Sequence, residues 1–550
     1  MSSSKIRVVP LGGLGEIGKN MMVLETDQDM IVVDAGVMFP EEEMLGIDLV
    51  IPDVTYILER SHKLRAFLIT HGHEDHTGAL PYVLRQIKAP LYCSRLTRGL
   101  IEVKLKEHKL QGQVDIRTVT PGERISLGAF RVEFLQMAHS IPDSLGLAIG
   151  TPQGTIIHTG DFKLDHTPVM GQATDLGRLA QLGSEGVLLL LSDSTYAEVP
   201  GYTASEQAVG RALHQIIGEA PGRVIIATFA SLISRIQQVI DAARHHGRRV
   251  VIIGRSMMDN AQMALEQGYL SAPDNVLASI DDLKKMPLEK TVIVSTGSQG
   301  EPTSALVRMA NNDHRHVSIV PGDTVILSST PIPGNELLVS RTIDNLCRLG
   351  ASVLHGRNAE VHVRGHASQE ELKLIFNLVR PQYFTPIHGE YRHLVAHANI
   401  ARTMGVPEDN VFVLEDGDVL ELDGERGKVV ERIPAGHVYV DGLAVGVDQV
   451  VLRDRRHLAT DGILAVIIAV NKQTGQPVGT PDIVARGIAD GDGIAEALED
   501  AKAVAFRAVS KADHVSEWSD VNIQVKDAVS KFLYEKTRRR PMVLPVTLEI

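Results

Sequence analysis

Residues 66–76 read Ala66-Phe67-Leu68-Ile69-Thr70-His71-Gly72-His73-Glu74-Asp75-His76. The stretch opens as a short apolar run, which predicts a buried strand. His71, His73, Asp75 and His76 then fall within six residues, and Ala79, Leu80, Val83, Leu84 and Ile87 recur at helical spacing after them. Metal-ligating side chains therefore stand at the carboxyl end of a strand, on the loop that opens a helix. Open α/β sheets bind ligands at that place. Imidazole suits zinc and related ions, and carboxylate suits harder divalent ions. His71 and His73, two apart in extended chain, point the same way onto one ion. Asp75 and His76 point elsewhere, toward a second. Two ions about 3.5–4 Å apart serve in-line displacement at phosphorus. A solvated polar loop is the plain alternative, and three histidines with an aspartate at this spacing argue against it.

Composition sets the frame around this loop. A chain of 550 residues predicts three or four domains. Hydrophobic content of 44% and charged content of 22% are those of a soluble globular enzyme. With aromatics at 4%, a base-stacking platform of several rings is not expected. A formal net charge of −13 argues against a general basic nucleic-acid coat and leaves room for a local basic groove. The two cysteines, Cys93 and Cys347, make neither a disulfide framework nor a thiolate zinc site. The first residues carry no apolar signal core, and the longest apolar runs, 187–191 and 463–470, are too short to span a bilayer. A cytoplasmic protein without membrane association is expected.

Read from the start, residues 5–11 predict a strand, followed by Gly12-Gly13-Leu14-Gly15-Glu16-Ile17-Gly18-Lys19-Asn20. This segment nearly matches two phosphate-binding fingerprints, but both need a helix next. The residues that follow, 21–24 and 30–33 around a turn at Asp27-Gln28, predict a hairpin instead. The glycines are expected to let backbone pass close to the metal loop. Asp34 ends the second hairpin strand. Strands at 131–137 and 155–159 deliver His139 and Asp161, and the apolar run 187–191 delivers Asp193. A fresh α/β series from about Tyr202 predicts a parallel-sheet insert. There Ser231 stands before a helix with Arg235 in its first turns, either as its N-cap or as a phosphate contact. His366 and His388 each sit where a strand-like segment meets a helix. His62, His393 and His397 fall on helix-like stretches and are read as surface, while His158 and His166 are read as structural. From Val450 a new unit is expected, with strands at 450–452, 463–470 and 542–550 and helices at 494–510 and 521–537. Its basic run 536–540 is either an RNA contact or a solvated helix end. Asp48 and Asp441 are a weak candidate pair for a structural divalent cation.

Taken together, GGLGEIGKN, HGHEDH, MAHSIPDS, TGDFK, SDST, TFAS, HVRGHAS and PIHGE resemble the β-CASP branch of the metallo-β-lactamase superfamily and, within it, the ribonuclease J family. The resemblance implies an α/β protein: a metallo-β-lactamase αββα sandwich (1–203 and 346–445), an inserted parallel-sheet β-CASP domain (204–345) and a small α+β C-terminal domain (446–550). It implies two Zn2+ per subunit, with Mn2+ as the other candidate. His71, His73 and His139 would hold one ion, and Asp75, His76 and His388 the other, with Asp161 shared. Asp34 would orient the metal loop. Asp193 and His366 would be catalytic, His366 protonating the leaving 3′ oxygen. His362, Val363, Arg364, Gly365 and His366, with Ser231, would meet substrate phosphate. Arg364 stands where the family usually has serine. The implied activity is two-metal hydrolysis of single-stranded RNA, 5′-to-3′ with a preference for 5′-monophosphate ends, together with endonucleolysis. A homodimer or tetramer and partners in an RNA-decay complex are implied as well. The rival readings are a DNA-directed β-CASP nuclease, a small-molecule hydrolase of the same fold, and an inactive RNA-binding scaffold.

Overall fold

The glycine-rich segment after the first strand opens no helix. In the computed structural model, which describes residues 5–550 apart from 42, 274, 333, 443, 475, 489–492 and 511–517, strand Ile6–Gly12 pairs antiparallel with Met21–Glu25, which pairs antiparallel with Met30–Val33. Two features make the glycines necessary. A Cβ at Gly13, where φ is +93°, would lie 2.2 Å from Asn20 Oδ1. A Cβ at Gly36, just past the strand Met30–Val33, would lie 1.6 Å from the Asp75 carbonyl oxygen. The loop thus wraps the backbone of the 71–76 segment, and Asn20 Nδ2 donates to the Asp75 carbonyl at 3.1 Å.

The hairpin belongs to an eight-stranded sheet. It is ordered Gly427–Arg432, Asp418–Leu422, Ile6–Gly12, Met21–Glu25, Met30–Val33, Leu64–Leu68, Leu91–Cys93, Ile116–Thr118. A six-stranded sheet runs Tyr383–Ile387, Val187–Asp193, Gly154–His158, Leu145–Thr151, Phe130–Gln136, Arg124–Leu127. Val8, Leu24, Ile31, Val33 and Leu68 of the first share one core with Phe134, Leu147, Ile149, Ile156 and Leu189 of the second, so the sheets face each other. Alternation splits neighbours between layers. Leu189 faces the other sheet, while Leu190 packs outward with Leu372, Ile375 and Phe376 of helix Gln369–Val379. The run at 187–191 is apolar throughout because its strand is buried on both faces between two parallel neighbours.

Register decides where the functional side chains emerge. Val33 pairs with Leu68 in parallel, so Asp34 follows one strand and Ile69 the other at one level. Asp193 pairs with Ile387, which sets Asp193 beside His388 at the carboxyl ends of the second sheet.

A third sheet is wholly parallel: Leu277–Ala278, Arg249–Ile253, Thr291–Ser295, Val224–Ala227, Thr324–Leu327, Ser352–His355. Its last strand lies beyond residue 345, where the insert was expected to end, because Ser352 pairs in register with Thr324. Contacts divide the chain into two units, Met1–Phe39 with Leu49–Val438, and Pro40–Asp48 with Tyr439–Ile550.

In the second unit, Ile463–Val470 pairs antiparallel with Asp482–Arg486 and parallel with Met542–Glu549. Leu464, Val466, Ile468 and Val470 on one face meet Ala501 and Ala505 of helix Ile494–Ser510 and Val525 and Val529 of helix Trp518–Thr537. The expected strand at 450–452 is instead the start of helix Gln449–Asp461. The Asp448 side chain caps it by accepting from Val450 N at 2.9 Å, and only Leu452 of the apolar triplet is buried. Among the described residues, no helix is long and apolar enough to cross a membrane.

Candidate metal centre and active site

Three segments converge on the carboxylate that a fourth delivers, Asp161. His71 follows strand Leu64–Leu68, His73 is the N-cap of the short helix Glu74–Thr77, and Asp75 and His76 lie in that helix. His139 follows strand Phe130–Gln136, Asp161 follows Gly154–His158, and His388 follows Tyr383–Ile387. Asp161 Oδ2 lies 3.6 Å from His71 Nε2, 3.2 Å from His76 Nε2, 3.9 Å from His139 Nε2 and 3.6 Å from His388 Nε2. Around it, His71, His73 and His139 form one group of close ligand atoms, and Asp75, His76, Asp161 and His388 form another. Within the first, His73 Nδ1 is 3.0 Å from His71 Nε2 and 3.3 Å from His139 Nε2.

The hydrogen bonds behind these side chains decide which nitrogen faces inward. His76 Nδ1 donates to Asp34 Oδ2 at 2.7 Å, and His139 Nδ1 to the Gly365 carbonyl at 2.7 Å. Thr70 Oγ1 donates to Asp34 Oδ2 at 2.8 Å and so accepts from His71 Nδ1 at 3.0 Å. Thr195 Oγ1 donates to Asp193 Oδ1 at 2.9 Å and so accepts from His388 Nδ1 at 2.6 Å. Each of these four imidazoles is held by Nδ1 and turns Nε2 to the space around Asp161, whereas His73 turns Nδ1 there. Acceptors crowded in this way fit divalent cations, with carboxylate-backed histidines of the kind that ligate metal. The mixed imidazole and carboxylate set suits zinc or manganese. Asp34, at φ +62°, and His388, at φ +56°, both hold left-handed backbone, a conformation that clusters at functional sites.

Electrostatics separate the groups. Burial pushes His71 and His139 well down and His73 to about 4, which keeps these rings neutral and able to coordinate. Burial opposes ionisation of Asp161 and Asp75 too, yet the surrounding histidines hold both carboxyls well below the usual range. Conversely, the carboxylates outweigh burial at His76 and raise His388 to about 9. The pocket demands positive charge.

Beside this centre, His366 Nδ1 donates to Asp193 Oδ2 at 2.7 Å and lies 3.9 Å from Asp161 Oδ2. His366 belongs to the 361–366 loop, which approaches His139 closely: a Cβ at Gly365 would stand 2.9 Å from His139 Cε1. Arg364 is exposed and lays its guanidinium over Tyr196, 4.9 Å from the ring centre, and Tyr196 also meets the His366 ring at 5.6 Å. His362 is driven to about 4 by burial and by Arg235, and its buried Nδ1 has no hydrogen-bond partner among the described residues. Val363 packs against the core of the insert.

Several expectations are corrected. Ser231 does not cap the following helix. Leu232 is the N-cap of Ile233–His245, Ser231 offers only its carbonyl to Ile233 N at 2.9 Å, and Ser234, one turn on, donates to the Ser140 carbonyl at 3.2 Å. Arg235, in the first turns of that helix, is fully buried and meets Glu206 Oε2 at 2.6 Å and the Val361 carbonyl at 3.0 Å. His393 and His397 are buried, not surface: His393 Nδ1 accepts from Glu390 N at 3.2 Å, and His397 bonds Ser194 Oγ at 3.0 Å between Phe376 and Phe384. The suggested Asp48–Asp441 cation pair is a protein contact. Asp48 Oδ2 accepts from Gly442 N at 2.7 Å, and Asp441 pairs with the Arg455 guanidinium. In the basic run, Arg540 stacks on Tyr534 and Arg539 pairs with Asp461 at 3.5 Å. Sequence reading passed over Thr70, Thr195, Tyr196, Lys163 and Glu206. The only signal for the threonines was a hydroxyl at each strand end.

Comparison with known proteins agrees with this geometry. Family profiles match in four segments: a beta-lactamase superfamily domain over 29–178, the ribonuclease J beta-CASP domain over 221–346, a Zn-dependent metallo-hydrolase RNA specificity domain over 355–414, and the ribonuclease J C-terminal domain over 450–550. Ribonuclease J2 of Bacillus subtilis (strain 168) is 44% identical over 554 residues, spanning 100% of this chain and 99% of that protein. Ribonuclease J of Thermus thermophilus is 44% identical across 99% of this chain and 95% of its own length. A solved structure of a protein of unknown function from Enterococcus faecalis V583 shares the fold at a TM-score of 0.54 and 16% identity, covering 76% of this chain and 100% of its own.

Proposed function

The chain belongs to the ribonuclease J family, and from that premise we propose that it is a metal-dependent ribonuclease that hydrolyses single-stranded RNA from the 5′ end, prefers a 5′-monophosphate, and also cuts internally. One observation carries the reading. The carboxylate of Asp161 stands within 4 Å of histidines from both ligand groups and of His366, so ligand centre and proton donor share one point.

His71, His73 and His139 would hold one divalent ion and Asp75, His76 and His388 a second, with Asp161 between. Zinc is the first choice and manganese the other. Bound there, the ions would neutralise charge developing at phosphorus and acidify water. The chain's residues do the rest. Asp34 and Asp193 orient the ligands through His76, Thr70 and Thr195. Although burial opposes it, the Asp193 carboxylate holds the His366 ring above its ordinary pKa, so His366 carries a proton for the leaving 3′ oxygen. Arg364, on the exposed side of the 361–366 loop, supplies the positive charge that a terminal phosphate needs. On the same family footing the chain assembles as a homodimer or tetramer and joins RNA-decay partners.

The deciding experiment follows one end-labelled RNA carrying 5′-monophosphate, triphosphate or hydroxyl, and its DNA counterpart, with Zn2+ or Mn2+. Wild type is compared with His73→Ala and Arg364→Ala. Mononucleotide release that favours the monophosphate, is lost in His73→Ala and loses its end preference in Arg364→Ala is expected. Internal cuts alone would remove the 5′-end reading, and cleavage of DNA alone would replace the substrate.

A further inference from the structure

We propose that His214, His245 and His246 form a separate transition-metal site on the inserted domain, suited to Zn2+-class ions and distinct from the centre around Asp161. His214 lies within helix Glu206–Glu219, His245 ends helix Ile233–His245, and His246 is that helix's C-cap. The ring centres are 4.5 Å apart for His214–His245, 4.5 Å for His214–His246 and 4.9 Å for His245–His246. One nitrogen from each ring lies within 4.8 Å of the others.

One pair has the spacing of ligands, and His245 brings a third nitrogen within 4.8 Å of both. His246 Nε2 is 3.4 Å from His214 Nδ1, and two nitrogens on a tetrahedral zinc stand about 3.3 Å apart, given Zn–N bonds of about 2.0–2.1 Å. The first histidine group of the Asp161 centre has the same separations, 3.0 and 3.3 Å.

A second feature shows that the ring is seated. A Cβ at Gly218 would lie 2.6 Å from His246 Cε1, so the imidazole rests on helix backbone that only glycine leaves open. No carboxylate belongs to the triad, which selects against calcium and magnesium and for zinc, copper or nickel. His245 is exposed, so a fourth position opens to solvent, as in three-histidine sites completed by water.

An ion held here joins the end of one helix to its neighbour. Toward its other end the same helix pair is joined by Arg235 and Glu206 at 2.6 Å. The ion therefore stiffens the helices that back the 361–366 loop, at a distance from the reacting centre.

The test uses the full chain dialysed against micromolar Zn2+. Bound zinc is counted by elemental analysis and the unfolding temperature is recorded, for wild type, His214→Ala, His246→Ala and Gly218→Ala. The expected result is one zinc fewer per chain in each histidine variant, with RNA cleavage kept. Stabilisation by zinc added beyond the first ions should be lost with it. Gly218→Ala retains all three imidazoles and should bind this zinc at least tenfold more weakly. Equal zinc content and equal stabilisation in wild type and both histidine variants would overturn the proposal and leave a hydrogen-bonded surface cluster. Undiminished zinc affinity in Gly218→Ala would overturn the seating of His246.

Discussion

The carboxylate of Asp193 accepts one hydrogen bond from His366 Nδ1 at 2.7 Å and another from Thr195 Oγ1 at 2.9 Å. Its two oxygens thus serve two tasks, one aiming the proton donor and the other backing His388. Asp193→Asn keeps the shape and removes the charge that raises His366. Turnover on 5′-monophosphate RNA should fall by about 10²–10⁴-fold, the usual range for losing a positioned acid. Steady-state kinetics beside metal analysis checks this. An unchanged kcat would remove His366 as the acid.

Asp34 acts on the ligands without belonging to either ligand group. One oxygen accepts from Thr70 N at 2.8 Å, and the other accepts from Thr70 Oγ1 at 2.8 Å and His76 Nδ1 at 2.7 Å. Asp34→Ala frees His76 and, through Thr70, His71. Metal affinity should drop by about 10–100-fold, the cost typical of losing such a backing carboxylate. Competition with a chromogenic chelator reads it directly, and affinity equal to wild type would rule the role out.

Behind the 361–366 loop lies a buried charge network. Glu206 Oε2 meets Arg235 at 2.6 Å and Glu206 Oε1 meets Lys163 at 3.3 Å, while Lys163 Nζ also donates to the Arg364 carbonyl at 3.3 Å. Burial opposes the Glu206 charge, and the two cations hold its pKa down nonetheless. Glu206→Gln takes the carboxylate from Arg235 and leaves Lys163 only the more distant Asp165, at 3.8 Å, in the interior. Breaking a buried pair from one side costs about 3–5 kcal/mol, so denaturant unfolding should show a loss of that order. Because Lys163 holds the loop's backbone, 5′-monophosphate preference should weaken as well. A variant as stable as wild type would mean that water reaches the network.

How much of this was readable follows the reach of each interaction. His71, His73, Asp75 and His76 were legible because period-two strand geometry and one helical turn bring near neighbours onto one centre. Asp161 and His139 were legible as polar residues at strand ends. His366 and His388 gave the same cue, a polar residue where a strand-like segment meets a helix, and motif resemblance supplied their roles. Lys163, Glu206 and Arg235 were missed as a network because charges far apart in sequence announce no pairing. His397 was read as surface because its helix looks amphipathic, yet the aromatic wall of Phe376 and Phe384 encloses it. At Val450 an aspartate cap overrode β-branched propensity.

The glycine-rich loop stores a pH dependence of its own. Lys19 is fully buried and lies 3.1 Å from Glu16 Oε1 and 3.3 Å from Asp416 Oδ2. One ammonium neutralises one carboxylate, and like charge resists ionising the other. Burial first, then Glu16, pushes the Asp416 carboxyl up to about 7 against the pull of Lys19. The folded chain therefore holds a proton there that the unfolded chain releases near the ordinary carboxylate pKa of about 3.9. Stability from this group is full below that value, falls as pH rises toward 7, and is flat beyond. The metal ligands also titrate, so the informative quantity is the difference between wild type and Asp416→Asn, whose amide stays neutral throughout. The variant's unfolding temperature relative to wild type should climb between pH 5 and 7 and level off by pH 8. A constant difference across that range would show that Asp416 stays ionised against Lys19.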